Sequence, residues 1–371
     1  MSLSMKLFGY TLFAARLPSL IISIISMIVL YDLIKKITKN KNIALIGLAI
    51  LAISPWHILQ SMWCWDCNMF PHFLLFAIDI LYNAILKNKR IMIYISMVFF
   101  GITLYCYGVA IYFVPLFLII QAVYLLKEKK IKPLDVIISI IIFLVLSLPI
   151  ILTFAINALK IDIDLKIFNI TIPYYKNLGR TTDMLLFSSN IPLQLLKNIL
   201  YLLSTIILQN DDVIWNTTKI FGTIYHITTV FSILGIILYI NKKGKNSIDN
   251  KLFIIYIWLI ISIITGILVN ETTVNRLNSI WYVLIIFASI GIYEVYIKIK
   301  EVNSKKLNIF KYLYIVAIIV IYLSLFISYI VYFYTVQKHQ IETSKFFSDE
   351  VYQKIVENEG MELIKGYDIL E

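Results

Sequence analysis

Apolar runs of about 17 to 23 residues recur along the chain, the length that carries a helix across roughly 30 Å of hydrocarbon. Ten are legible: 12–34, 43–58, 69–86, 91–107, 109–126, 134–154, 222–241, 252–269, 277–298 and 312–334. The expected fold is therefore all-α, a polytopic transmembrane helical bundle of about ten spans. Composition agrees, because 60% hydrophobic and 15% charged residues exclude an ordinary soluble domain. At Gly108 two spans read almost as one run of about 36 residues, too long for a single crossing, so a turn of two or three residues is expected there.

A net charge of +11 is compatible with nucleic-acid binding as a bare number, but its distribution points to a membrane. Twenty of the 33 Lys and Arg fall in five short loops, around Lys35–Lys41, Lys87–Arg90, Lys127–Lys132, Lys242–Lys251 and Lys298–Lys311. The alternate short loops hold one, Arg276. The positive-inside rule then orients every loop without conflict and puts both termini outside a plasma membrane. Residues 1–334 form the expected transmembrane domain, with a long outer connection at 155–221, a membrane-skimming helix near 193–208, and an outer tail at 335–371.

Polar residues able to meet a substrate concentrate on that outer side: Asp66, Asp162, Asp164, Asp183, Asp211, Asp212, Glu271 and Arg276. The five loop aspartates from Asp162 to Asp212 read as solvated charges. The inner side offers lysines without a Gly-rich phosphate loop, so ATP and nucleotide sugars are not expected as direct substrates. A first span entering from outside after eleven residues, without a basic leader, reads like the second span of a longer protein whose first helix and first outer loop are absent.

Gln60–Asn68 is expected to be a tight outer loop, and Trp63–His72 spells WCWDCNMFPH. Three readings compete for it. Cys64 and Cys67 match a redox dithiol, but the preceding element is a membrane helix and not the strand such a motif needs. His57, Cys64, Cys67 and His72 are eligible zinc ligands without closed-site spacing. The cysteines also fit as small apolar residues at a helix junction, able to form a local disulfide. Asp66 and Asn68 fit helix capping ahead of a span with Pro71 in its first turn. Asp66 equally fits an acid beside a lipid-borne substrate, acting as base or electrostatic partner. His57 and His226 read as satisfied interfacial histidines.

Ser54–Leu75, SPWHILQSMWCWDCNMFPHFLL, followed by LYCYGVAIYFVPLFL at Leu104–Leu118, resembles the polytopic GT-C glycosyltransferases, in the bacterial branch related to protein O-mannosyltransferases and aminoarabinose transferases. Further matches are FAARLPSLI at Phe13–Ile21, FGTIYH at Phe221–His226 and VNRLNSIWYVLII at Val274–Ile286, so the resemblance runs over roughly residues 10 to 300. It implies transfer of a hexosyl- or pentosyl-type sugar from a polyprenyl-phosphate carrier to a saccharide, lipid or protein acceptor on the outer face, with no nucleic acid involved. In such enzymes an outer-loop carboxylate activates the acceptor hydroxyl or supports its metal. That role falls here to Asp66, supported by Asn68, and the sequence identifies no metal site.

Arg276 is the candidate for the donor phosphate, since a guanidinium bonds phosphate oxygens in a fork. Asn275 and Asn278 flank it, and Tyr105 and Tyr107 sit where the fourth span meets the outer interface. The chain departs from the family in three places: the principal first-loop carboxylate precedes its start, Met62 stands where relatives carry Arg, and the carboxy-terminal part is at most the 37-residue tail. A non-catalytic lipid-linked saccharide flippase or assembly subunit is the second reading. Spans 91–107, 109–126 and 252–269 have uncharged middles, which disfavours an ion-coupled carrier. Abundant Ile, Lys and Asn fit an AT-rich bacterial genome.

Overall fold

The computed structural model describes residues 2–9, 11–63, 65–159, 161, 165–167, 170–172, 190–211, 213–242, 250–269, 271–301 and 307–342. Helices dominate it: α1 Ser2–Phe8, α2 Leu12–Thr38, α3 Lys41–Ile53, α4 Pro55–Met62, α5 Asp66–Lys87, α6 Arg90–Cys106, α7 Ala110–Lys127 and α8 Pro133–Ala158. After a two-stranded antiparallel hairpin, β1 Leu165–Ile167 and β2 Ile170–Ile172, come α9 Ile191–Leu203, α10 His226–Lys242, α11 Asn250–Ile267, α12 Trp281–Glu301, α13 Leu307–Tyr332 and α14 Lys338–Glu342. Single π-helical turns, Ser204–Leu208 and Phe333–Gln337, extend α9 and join α13 to α14.

Each expected span falls on a helix. Among the described residues seven helices are long and apolar enough to cross a membrane, or eight if the bent pair Lys41–Ile53 and Pro55–Met62 is one span. Arg90–Cys106, His226–Leu238 and Leu252–Ile267 are apolar but shorter. Ile191–Leu208, expected to skim the surface, has the length and hydropathy of a crossing helix. The turn expected at Gly108 lies between α6 and α7, at Tyr107–Val109.

Other expectations change in detail. The span at 43–58 breaks by 57° at Ser54, because Pro55 has no N–H and disfavours a helical residue before it. The Trp56 N–H, free of the α3 ladder, donates to the Thr223 carbonyl at 2.8 Å. The loop expected at Gln60–Asn68 is much shorter, since α4 runs to Met62 and α5 starts at Asp66. Pro71 consequently lies in the second turn of α5 and not the first. The tail expected from residue 335 begins as helix, through Glu342.

The described residues fall into two compact units, one drawn from 1–68, 204–246 and 284–371, the other from 69–203 and 247–283. In the first, α2 packs on α3 and α4, and Gly47 brings α3 close to Ile34 and Ser289. The backbones of α10 and α12 meet where Gly235 faces the Phe287 carbonyl and Gly291 faces that of Phe231; a Cβ at either glycine would collide with that oxygen. Ser232 reinforces the crossing by donating to the Leu284 carbonyl at 2.7 Å. Small residues at such crossings let helices associate where lipid offers no hydrophobic drive.

In the second unit α6 packs on α7 and α8, and α11 on α7 and α9. Asp135 starts α8, accepting from the Lys132 N–H at 2.8 Å and the Tyr94 hydroxyl at 3.0 Å. Asn198 of α9 donates to the carbonyls of Ile267 and Val269 at 2.8 and 2.5 Å, which closes the end of α11. Exposed Ile137, Ile140 and Val145 on α8, and Val316, Ile319 and Val320 on α13, suit hydrocarbon as their surroundings.

Candidate functional site

The α4–α5 corner is built by Asn68. Its side chain is fully buried, its Nδ2 donates to the carbonyls of Gln60 and Trp63 at 3.4 and 3.3 Å, and its Oδ1 accepts from Cys67 Sγ at 3.4 Å. Carbonyls at a helix end have no partner within the helix, so Asn68 completes α4 while standing in the first turn of α5. The chain turns sharply as a result, and Asp66 emerges as the first residue of α5. Asp66 is exposed, with Oδ1 accepting the Cys67 N–H at 2.8 Å. Capping and an outward-facing carboxylate thus coexist in one residue.

Two tryptophans pin the short link. The Arg16 guanidinium lies 4.8 Å from the centre of the Trp63 ring, a cation–π contact with α2. Trp65 stacks on Trp215 with centroids 5.8 Å apart and planes at 21°. Arg16 and Trp215 were both missed as site residues by sequence reasoning. A charged residue inside an apolar span was a signal for Arg16. Nothing in the spacing announces Trp215, which reaches Trp65 across 150 residues of chain.

The remaining chemistry of the WCWDCNMFPH stretch is largely internal. Cys67 is buried, and Cys64 lies outside the described residues. His57 is buried with Nε2 3.3 Å from the Ser23 carbonyl, while His72, also buried, has Nδ1 2.6 Å from the Tyr282 hydroxyl. Among the described residues no three of His, Cys, Asp and Glu converge in a metal-binding group. His226, expected to be satisfied at the interface, is exposed at the start of α10.

Arg276 belongs to the second unit, in the turns Val274–Ile280 that lead into α12. Its guanidinium donates to the Glu271 carbonyl, and its backbone N–H lies 3.4 Å from Thr273 Oγ1. Asn278 is fully buried, and its N–H donates to the Asn275 carbonyl at 3.1 Å. Thr272 ties the preceding stretch to the Gly266 carbonyl at 2.8 Å. The guanidinium of the half-buried Arg276 is thus tethered to one backbone carbonyl, that of Glu271.

Tyr105 and Tyr107 lie in the same unit. The Tyr105 hydroxyl donates to the Leu146 carbonyl at 2.6 Å, binding α6 to α8. Tyr107 ends α6, with its ring 6.5 Å from that of Phe70. Asp211, expected as a solvated charge, is buried and accepts the Val213 N–H at 2.8 Å. The correction has a local cause, because an Asp at a turn bonds the backbone two residues on. Asp162, Asp164, Asp183 and Asp212 fall outside the described residues.

Residues 1–153 match the family model of dolichyl-phosphate-mannose-protein mannosyltransferases. The matched stretch holds Arg16, the tryptophan-pinned corner, Asp66, Asn68, Tyr105 and Tyr107; it ends before Trp215 and the Arg276 turn. No curated protein sequence matches the chain. With many apolar helices and an exposed acid at a built corner, the amino-terminal 153 residues are similar to those of a membrane mannosyltransferase family of the GT-C type.

Proposed function

We propose that the protein transfers a sugar from a polyprenyl-phosphate donor to an acceptor hydroxyl on the extracytoplasmic face, with Asp66 as the general base. The acceptor oxygen attacks the anomeric carbon as the bond from that carbon to the phosphate oxygen breaks. The leaving electron pair stays on the lipid phosphate, and the acceptor proton passes to the Asp66 carboxylate and then to water. Asp66 supports this reading through its position: it is exposed, it heads a helix, and its neighbours Trp63 and Trp65 are held on both sides. That arrangement keeps the carboxylate in place without burying it, as a base that must meet a mobile acceptor requires.

Arg276 takes the donor phosphate, with Asn275 and Asn278 shaping its turn and Tyr105 and Tyr107 serving the donor's lipid-proximal part. The anchoring of the guanidinium to the Glu271 carbonyl supports this, since a preoriented fork loses less freedom on binding phosphate. Binding of a labelled polyprenyl-phosphate sugar to the protein in nanodiscs tests the division of roles. Arg276→Ala should weaken it about tenfold, the loss of a charge-assisted hydrogen bond. Asp66→Asn should leave it unchanged. Equal donor affinity in parent and Arg276→Ala would remove Arg276 from the site.

A further inference from the structure

A cavity of about 260 Å³ opens in the first unit between the segment that follows Trp215 and the end of the last long helix. Of the seven described residues that line it, six carry hydrogen-bonding side chains: Thr217, Thr218, Lys219, Tyr332, Gln337 and Gln340. Those groups set it apart from the lipid-like surroundings of the spans, although carbon atoms still form the larger part of its exposed wall. A second cavity, of about 200 Å³ and lined by residues such as Leu81, Met97, Pro115 and Phe143, shows what an apolar one looks like in this protein.

The polar wall is held in place by Gln337. Its Nε2 donates to the carbonyls of Ile214 and Thr217 at 2.7 and 3.0 Å. Both amide hydrogens are thereby used, which fixes the orientation of the side chain. Gln337 is 2% exposed, and its Oε1 has no partner among the described residues. Thr218 Oγ1 accepts the Phe221 N–H at 3.1 Å, and Thr217 shares a 3.0 Å hydroxyl contact with Thr223. Gln337 closes a π-helical turn, a local distortion found disproportionately at functional sites.

We propose that this cavity binds a saccharide unit of the acceptor. By volume it holds roughly eight or nine waters, at about 30 Å³ each, so a single sugar ring with its hydroxyls is of the right scale. Hydroxyls donate and accept at once, which suits a wall mixing amides, threonine hydroxyls, a phenol and one ammonium. Position argues the same way. Thr217 lies two residues, at most about 7 Å of extended chain, beyond the Trp215 that stacks on Trp65, next to Asp66. A sugar held there lends binding energy to a neighbouring unit that reacts. The inference rests on the transferase reading only in assigning the sugar to the acceptor.

Saturation-transfer NMR on the full chain in nanodiscs tests it, with methyl mannoside and methyl glucoside as probes and inorganic phosphate as the competing anion. Ring protons of at least one glycoside should receive saturation from the parent protein. Gln340→Trp, at the exposed rim and outside the bonds that Gln337 makes, should reduce that signal about tenfold, the scale of one or two lost hydrogen bonds. Gln340→Ala should retain most of it. No transfer to either glycoside, a signal unchanged in Gln340→Trp, or binding by phosphate alone would overturn the proposal. If Gln340→Trp loses the glycoside while Asp66→Asn still turns over like the parent, the cavity assignment stands and the catalytic role of Asp66 falls.

Discussion

Asp66, Asn68 and Arg16 do different kinds of work around one corner of the fold. Asn68 is architectural: removing its amide leaves the Gln60 and Trp63 carbonyls without their donor, which costs about 1 to 3 kcal/mol. Asn68→Ala should therefore lower the thermal unfolding midpoint in detergent, and an unchanged midpoint would show that water replaces the amide. With Asp66 as the proposed base, Arg16 takes the part of a positioning residue, acting through its contact with Trp63. Arg16→Gln should lower kcat about tenfold with little change in acceptor KM, because a cation–π contact contributes about 0.5 to 2 kcal/mol. Arg16→Lys keeps the cation and should recover much of the loss. Equal kcat values for the Gln and Lys variants would rule out the ring contact as the cause.

At the scale of elements, sequence periodicity found the helices and the turn at Gly108, but missed the break at Ser54 and the shortness of the Trp63–Asn68 corner. Spans were legible because lipid imposes a length and an apolar composition on every crossing, whatever the tertiary packing. The bend at Ser54 was signalled by Pro55, but the Trp56 N–H that it frees finds its acceptor at Thr223, a distant partner that periodicity does not name. The Trp63–Asn68 corner came out shorter than expected because a buried asparagine substitutes for loop residues, a pairing that hydropathy does not encode. The crossing of α10 and α12 depends on Gly235 and Gly291, which the sequence shows only as two glycines in apolar runs. Gly235→Leu should push the helices apart and cost about 3 kcal/mol in unfolding measured in detergent. A variant as stable as the parent would mean that the close approach is not needed for folding.

At the scale of the whole molecule, the sequence carried the class of protein, and left the surroundings of its candidate acid unread. Asp66 was legible because it is charged, lies at a span boundary and falls in a family-like run. Trp215, Thr217 and Gln337 were not, because each matters through contacts made by distant parts of the chain. Arg276 stood out by rarity on its side of the membrane, while its tether to Glu271 emerged only from the fold. The match of residues 1–153 to mannosyltransferases accounts for the first half of this reading, and the polar cavity near Gln337 extends it into a region beyond that match. The central claim, that Asp66 is the base of a lipid-dependent sugar transfer, is tested most directly by label transfer in proteoliposomes. The assay measures movement of sugar from a polyprenyl-phosphate donor to membrane acceptors by the parent and by Asp66→Asn at saturating donor. A fall in turnover of about 10²- to 10⁴-fold, with donor affinity preserved, is the predicted result; turnover equal to the parent's, or no transfer by the parent itself, would contradict it.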